Sequence, residues 1–155
     1  MHEGRFIHRD IAARNCLVDI NSYGSVQAKL CDFGLSRRVA STGTQWMKRG
    51  GVGPLKYMAP ESLQSPYSFS YKSDAYSFGV FMWETFSNTP PFPSMAPAEA
   101  AAYVLEGGRL DISECEAIPP PMADIMIQWF QEDPSRRPTL FWIEQQLSTH
   151  VRTRR

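Results

Sequence analysis

The stretch His8-Arg9-Asp10-Ile11-Ala12-Ala13-Arg14-Asn15 decides how the rest of the sequence is read. It sets a carboxylate, a guanidinium and a carboxamide on one short segment. Working outward, Cys16 to Ile20 is apolar, Asn21-Ser22-Tyr23-Gly24 is turn-forming, and Val26, Ala28 and Leu30 alternate with polar neighbours. That pattern predicts a small β-hairpin. Asp32-Phe33-Gly34 follows the hairpin, and Ala59-Pro60-Glu61 lies further on. A hairpin between them returns Asp32 to the side of Asn15, giving two hard oxygen ligands suited to magnesium. Each triplet alone is weak, because a lone Asp is usually a cap or a surface charge. Three motifs in this order and at these spacings are specific.

The 155 residues are 43% apolar and 12% aromatic, enough for one compact domain with a core. Sixteen basic residues balance sixteen acidic ones. No global field favours nucleic acid or an anionic membrane, and no nucleic-acid partner is expected. Arg152, Arg154 and Arg155 read as a solvated basic tail over 150–155. Cys16, Cys31 and Cys115 form no CxxC pair and are odd in number, which reads as reduced thiols in a cytoplasmic setting. Cys16 and Cys31 sit among apolar residues and are expected to be buried structural thiols. No stretch approaches the ~20 apolar residues of a membrane span, and the start of the chain has no apolar signal core.

After the hairpin, Ser36 to Gly53 reads as a polar, glycine-rich surface loop. Everything later reads as helical. Ala75 to Phe86 is apolar almost all round, as in a helix buried in a core, with Ser73 as its cap. Further helices are expected over about Pro97–Glu106, ending at Gly107-Gly108, over Met122–Phe130 behind Pro119-Pro120-Pro121, and from Thr139 to about Thr149.

With these motifs the sequence resembles the protein kinase family from about Phe6 to Leu147, and is most similar to tyrosine kinases. The resemblance implies a mainly α fold with a short β-hairpin: the C-terminal lobe of the kinase-like α+β fold over 1–149. It implies that Asp10 is the catalytic base for a substrate hydroxyl, and that Asn15 and Asp32 hold Mg2+ beside ATP. Arg14 resembles the arginine that tyrosine kinases place after the catalytic Asp. Serine/threonine kinases have a lysine where this chain has Ala12. His8 resembles the histidine packed behind Phe33, and Arg9 the arginine that meets a phosphate on the activation loop. Phe33 reads both as a core aromatic and as the switch that aims Asp32, with Gly34 giving backbone freedom. Glu61 and Arg137 resemble a buried ion pair. Asp74 resembles the aspartate that holds the catalytic loop through backbone hydrogen bonds, its plainer alternative being a helix N-terminal charge. Pro54, Leu55 and Lys56 resemble the tyrosine-kinase platform for a protein substrate's phenol ring.

The chain also departs from the family pattern. Tyr57 and Tyr76 stand where tryptophan is usual, and Trp129-Phe130 replaces a Cys-Trp pair. Tyr57 pulls toward serine/threonine or dual specificity, against Arg14, Pro54 and Leu35-Ser36-Arg37. Aligning on Gly50-Gly51 puts Trp46 where many tyrosine kinases carry a phosphorylated tyrosine. With Met1 just before the catalytic loop, the glycine-rich loop, strand lysine and helix glutamate of an N-lobe are expected to be absent. A truncated gene model or partial clone would explain this, and 1–155 alone would be inactive, with Phe78, Phe81 and Trp83 uncovered. The non-catalytic alternative is a short lobe acting as a binding or decoy module. If a phosphate switch exists here, Ser41, Thr42 or Thr44 carries it, paired with Arg9 or Arg38. Phosphopeptide mapping of active protein that finds no modified residue from Ser36 to Lys56 rejects that switch in favour of a loop held active without phosphate.

Overall fold

The computed structural model describes residues 4–39, 43–47, 53–113 and 115–145. Ser41, Thr42, Gly50-Gly51, the end of the last helix and the 150–155 tail lie outside the described residues.

Among the described residues six strands appear, β1 Phe6–Ile7, β2 Cys16–Ile20, β3 Val26–Leu30, β4 Arg37–Arg38, β5 Thr44–Met47 and β6 Tyr67–Ser70. They pair antiparallel as three separate two-stranded sheets, β1 with β4, β2 with β3 and β5 with β6. The described residues also form four α-helices, α1 Pro60–Leu63, which precedes β6, and α2 Tyr71–Ser87, α3 Pro97–Leu105 and α4 Pro120–Trp129, which follow it. Residues 140–145 are helical as well.

The expected hairpin forms, with Cys16 opposite Leu30 and Ile20 opposite Val26. Asn21 Oδ1 accepts the amides of Tyr23 and Ser25, and Gly24 takes the left-handed φ of 74° that closes the turn. Two expectations are corrected. A single hairpin becomes three ribbons, because the loop read over Ser36–Gly53 contains β4 and β5. The region read as wholly helical contains β6, where Phe69 points inward and its neighbours Ser68 and Ser70 do not. Strands of two and four residues carry too little alternation to be read in advance, and their partners lie far away in sequence.

Helix α2 is the central member of the core. Ser70, rather than Ser73, is its N-cap: Ser70 Oγ accepts the Lys72 and Ser73 amides, while Ser73 Oγ accepts the Ser70 amide. This reciprocal pair satisfies donors the helix start would otherwise leave open. At the other end Asn88 adopts the left-handed conformation at φ 51° and stops the helix. Ala75, Tyr76, Val80 and Trp83 of α2 pack with Met122, Met126 and Trp129 of α4. Gly79 permits the approach, since a Cβ there would lie 3.1 Å from Phe130 and 3.2 Å from Trp129. Trp83 is covered, contrary to expectation, because it joins this core and its indole N–H donates to Asp111 O at 2.8 Å. Apolar exposure falls instead on the hairpin, at Leu17, Val18, Ile20 and Val26. For the same reason Cys16 and Cys31 are only half-buried.

A second, smaller cluster joins Ile7, Val39, Met58 and Phe69, and so links β1, the segment after β4 and β6. Between the clusters lies a buried ion pair. Arg137 Nη1 and Nη2 donate to the two oxygens of Glu61 at 2.7 and 2.9 Å, and Arg137 Nε donates to Gln131 O at 2.9 Å. Arg137 is almost fully buried and lies 5.1 Å from the Tyr76 ring centroid. Forked geometry and full use of the guanidinium donors offset the cost of removing both charges from water. Arg137→Met alone strands Glu61 and is expected to destabilise the fold by about 3–5 kcal/mol. The double change Glu61→Met with Arg137→Met is expected to cost less than the single one, as measured by chemical denaturation.

Candidate active site

The segment from His8 to Asn15 has little regular structure, so its shape is imposed by groups around it. On one edge β1 pairs with β4, Ile7 opposite Arg37, and Ser36 Oγ donates to His8 O at 3.3 Å. Beneath it Asp74, in the first turn of α2 and 1% exposed, accepts the His8 amide at 2.8 Å and the Arg9 amide at 3.0 Å. A buried carboxylate receiving two backbone N–H groups both satisfies its charge and fixes the loop's direction. Arg9 has φ 69°, a left-handed conformation costly for a residue that has a Cβ and held here by those bonds. Its buried guanidinium lies 4.2 Å from the Phe69 ring centroid and donates to Met47 Sδ at 3.2 Å. Burial, then repulsion from Arg37, lowers its pKa, and Asp74 opposes the shift.

Asp10 follows at the mouth of the loop, its side chain 12% exposed and paired with the Arg14 guanidinium, which is itself half-exposed. His8 is fully buried; its Nδ1 accepts the Asp10 amide at 3.3 Å. A 3₁₀ turn over Ala13–Asn15 ends the loop. There Asn15 Nδ2 donates to Asp10 O at 2.8 Å, which turns the carboxamide oxygen the other way. Cys31 N donates to Asn15 O at 2.8 Å, so Asp32 emerges directly beside the Asn15 pairing. Asp32 has φ 59°, and its Oδ1 accepts the Gly34 amide at 3.2 Å without drawing on Oδ2. The backbone pairing brings Asn15 and Asp32 near one another, and their carboxamide and carboxylate oxygens are of the hard donor type that Mg2+ prefers.

Phe33 needs a correction. It meets the His8 ring at 4.9 Å, but it is 55% exposed, so it is not a core aromatic. The left-handed turn at Asp32 carries it outward, with His8 covering one side only.

Pro54, Leu55 and Lys56 come next to this loop on a separate element, a 3₁₀ turn over Leu55–Tyr57. Leu55 packs on the Ile7 cluster and Lys56 Nζ donates to Phe92 O at 2.9 Å. Tyr57 OH donates to Glu84 Oε1 at 2.9 Å, and burial followed by the bond to Glu84 raises its pKa well above the usual phenol range. Glu84 was not singled out from the sequence. The signal was available, the one carboxylate in the largely apolar stretch from Ala75 to Phe86. Asp74 stands behind the loop and anchors it, while Glu61 and Arg137 join α1 to the segment after α4 and do not touch the loop.

The family described as protein tyrosine and serine/threonine kinase matches residues 1–147. The chain is 42% identical over 148 residues to the tyrosine-protein kinase transforming protein ros of UR2 avian sarcoma virus, covering 92% of this chain and 36% of that protein. It is 39% identical over 145 residues to the human proto-oncogene tyrosine-protein kinase ROS, covering 92% of this chain and 6% of the relative. The chicken mast/stem cell growth factor receptor Kit is 40% identical over 152 residues, covering 94% and 15%. The chain thus spans about a third or less of the length of these relatives. A match that runs through the anchored loop, the Asp32 turn and the Glu61–Arg137 pair makes this chain a member of the protein tyrosine and serine/threonine kinase family, with a catalytic domain of the tyrosine-kinase type.

Proposed function

We propose that residues 1–149 are the C-terminal lobe of a kinase domain that transfers the γ-phosphate of ATP to a tyrosine hydroxyl of a protein substrate. The observation that carries this reading is the Asp10 carboxylate, held at the mouth of a loop fixed by Asp74, with Asn15 and Asp32 adjacent. In this reading Asp10 accepts the phenolic proton as the substrate oxygen bonds to the γ-phosphorus and the bond to ADP breaks. Asn15 and Asp32 hold Mg2+, which when bound neutralises charge on the phosphate oxygens. Arg14 fixes the rotamer of Asp10, and the Pro54–Lys56 segment aligns the substrate ring with it. The protein supplies positioning and charge, and little covalent chemistry.

In this reading residues 1–155 supply the base, the metal ligands and the substrate platform, and phosphate transfer also requires adenine-binding parts. The half-buried, unpaired thiols support a cytoplasmic setting, in the cytosol or at the cytoplasmic face of a membrane. Among the described residues no helix is long and apolar enough to cross a membrane. Tyr57, where tyrosine kinases mostly carry tryptophan, favours a second reading as a serine/threonine or dual-specificity kinase.

The test is phosphorylation of matched peptides with Tyr, Ser or Thr acceptors, by a kinase domain joining 1–155 to its ATP-binding portion. Transfer to Tyr alone is expected, and transfer to Ser or Thr peptides moves the assignment to the second reading. Asp10→Asn is expected to lower kcat by roughly 10²–10⁴-fold, the range for losing a positioned general base. Asp10→Asn with unchanged kcat would remove the reading altogether.

A further inference from the structure

Four groups around Tyr57 close a circuit. Tyr57 OH donates to Glu84 Oε1 at 2.9 Å. The other oxygen of the same carboxylate, Oε2, accepts the Ala13 amide at 3.2 Å. The next residue, Arg14, carries its guanidinium back over the Tyr57 ring, 5.5 Å from the centroid. Arg14 also pairs with Asp10. The element bearing Tyr57 is fixed separately, since Ser77 Oγ on α2 donates to Tyr57 O at 2.7 Å.

We infer that Tyr57 is a positioning residue that couples the Pro54–Lys56 segment to the catalytic base through Glu84, Ala13 and Arg14. This inference rests on the kinase reading above. The chemistry of each link is definite. Glu84 is a half-buried acceptor with two oxygens, and it uses one on each element, so moving either element takes the donor away from the oxygen that faces it. The Tyr57 ring gives Arg14 an aromatic face to lie against, which limits the directions from which it meets Asp10. A shift of Pro54–Lys56 when a substrate ring docks therefore reaches Asp10 along bonds already made. Phenylalanine at 57 would keep the face and lose the strut. Leucine at 84 would open the circuit on both sides at once.

The experiment uses the same joined kinase domain, with folded enzyme counted by nucleotide-analogue titration so that losses in yield drop out. Tyr57→Phe is expected to lower kcat for the peptide about tenfold with KM for ATP unchanged. Glu84→Leu is expected to lower it at least as far, and the double variant no further than Glu84→Leu, since one circuit cannot be opened twice. Tyr23→Phe removes a phenol from the exposed hairpin turn and is the matched control, expected to leave kcat as it is. Unchanged kcat per folded molecule in Tyr57→Phe, or losses that multiply in the double variant, would overturn the inference. The kinase reading would still stand if Asp10→Asn abolished transfer in the same assay. If Asp10→Asn had no effect, both would fall.

Discussion

Everything at the candidate site depends on one buried carboxylate. Asp74 sits in the first turn of α2 and takes the amides of His8 and Arg9, residues more than sixty positions earlier in the chain. Without it, two N–H groups in an irregular, buried stretch would have no partner, and the positive φ at Arg9 would have nothing to hold it. The side chains that project from the loop inherit their directions from that attachment. Asp10 faces out because the backbone before it is pinned facing in, and Asn15 reaches back to Asp10 O because the loop is short enough to cross. The catalytic geometry is in this sense a property of α2, and α2 is a property of the core.

The core explains why this attachment is rigid. Helix α2 is apolar on most of its surface, and it packs on α4 closely enough that Gly79 has no room for a side chain. Several of its polar residues work at its N-terminus or toward the loop: Ser70 and Ser73 close the N-terminus, Asp74 and Glu84 meet the loop, and Ser77 meets the Tyr57 carbonyl. A helix that is hydrophobic elsewhere cannot rotate without burying these groups against carbon. The Glu61–Arg137 fork then ties α1 to the segment after α4, so the two ends of the helical part hold one another.

The motif segments were legible in the sequence because their chemistry is local. The hairpin between Cys16 and Leu30 followed from alternation and a four-residue turn, and it brought Asp32 next to Asn15 as its length required. The helices after Tyr71 followed from composition and prolines. What stayed hidden was pairing over distance. Nothing in Phe6-Ile7 or Arg37-Arg38 announces a strand, since each is two residues long and exists only against the other. The Tyr57–Glu84 contact was hidden for a similar reason: sequence reading saw Tyr57 only as a missing tryptophan, and a hydroxyl has no visible partner until α2 is folded beneath it. Phe33 misled in the opposite direction, because an aromatic between Asp and Gly reads as core when only its contact with His8 is inward.

The two arginine–carboxylate pairs described above sit in different solvents. In Glu61–Arg137 the guanidinium is fully buried and the carboxylate is only slightly exposed. Asp10–Arg14 lies at a surface, with half of the arginine in water. At roughly 1 M salt the screening length falls to about 3 Å, which weakens the exposed pair much more than the buried one. Ionic strength therefore acts on this molecule as a selective reagent: it loosens the orientation of the base more than the joint that keeps the fold together. A denaturation midpoint that held steady across a salt series in which turnover changed would be the mark of that separation.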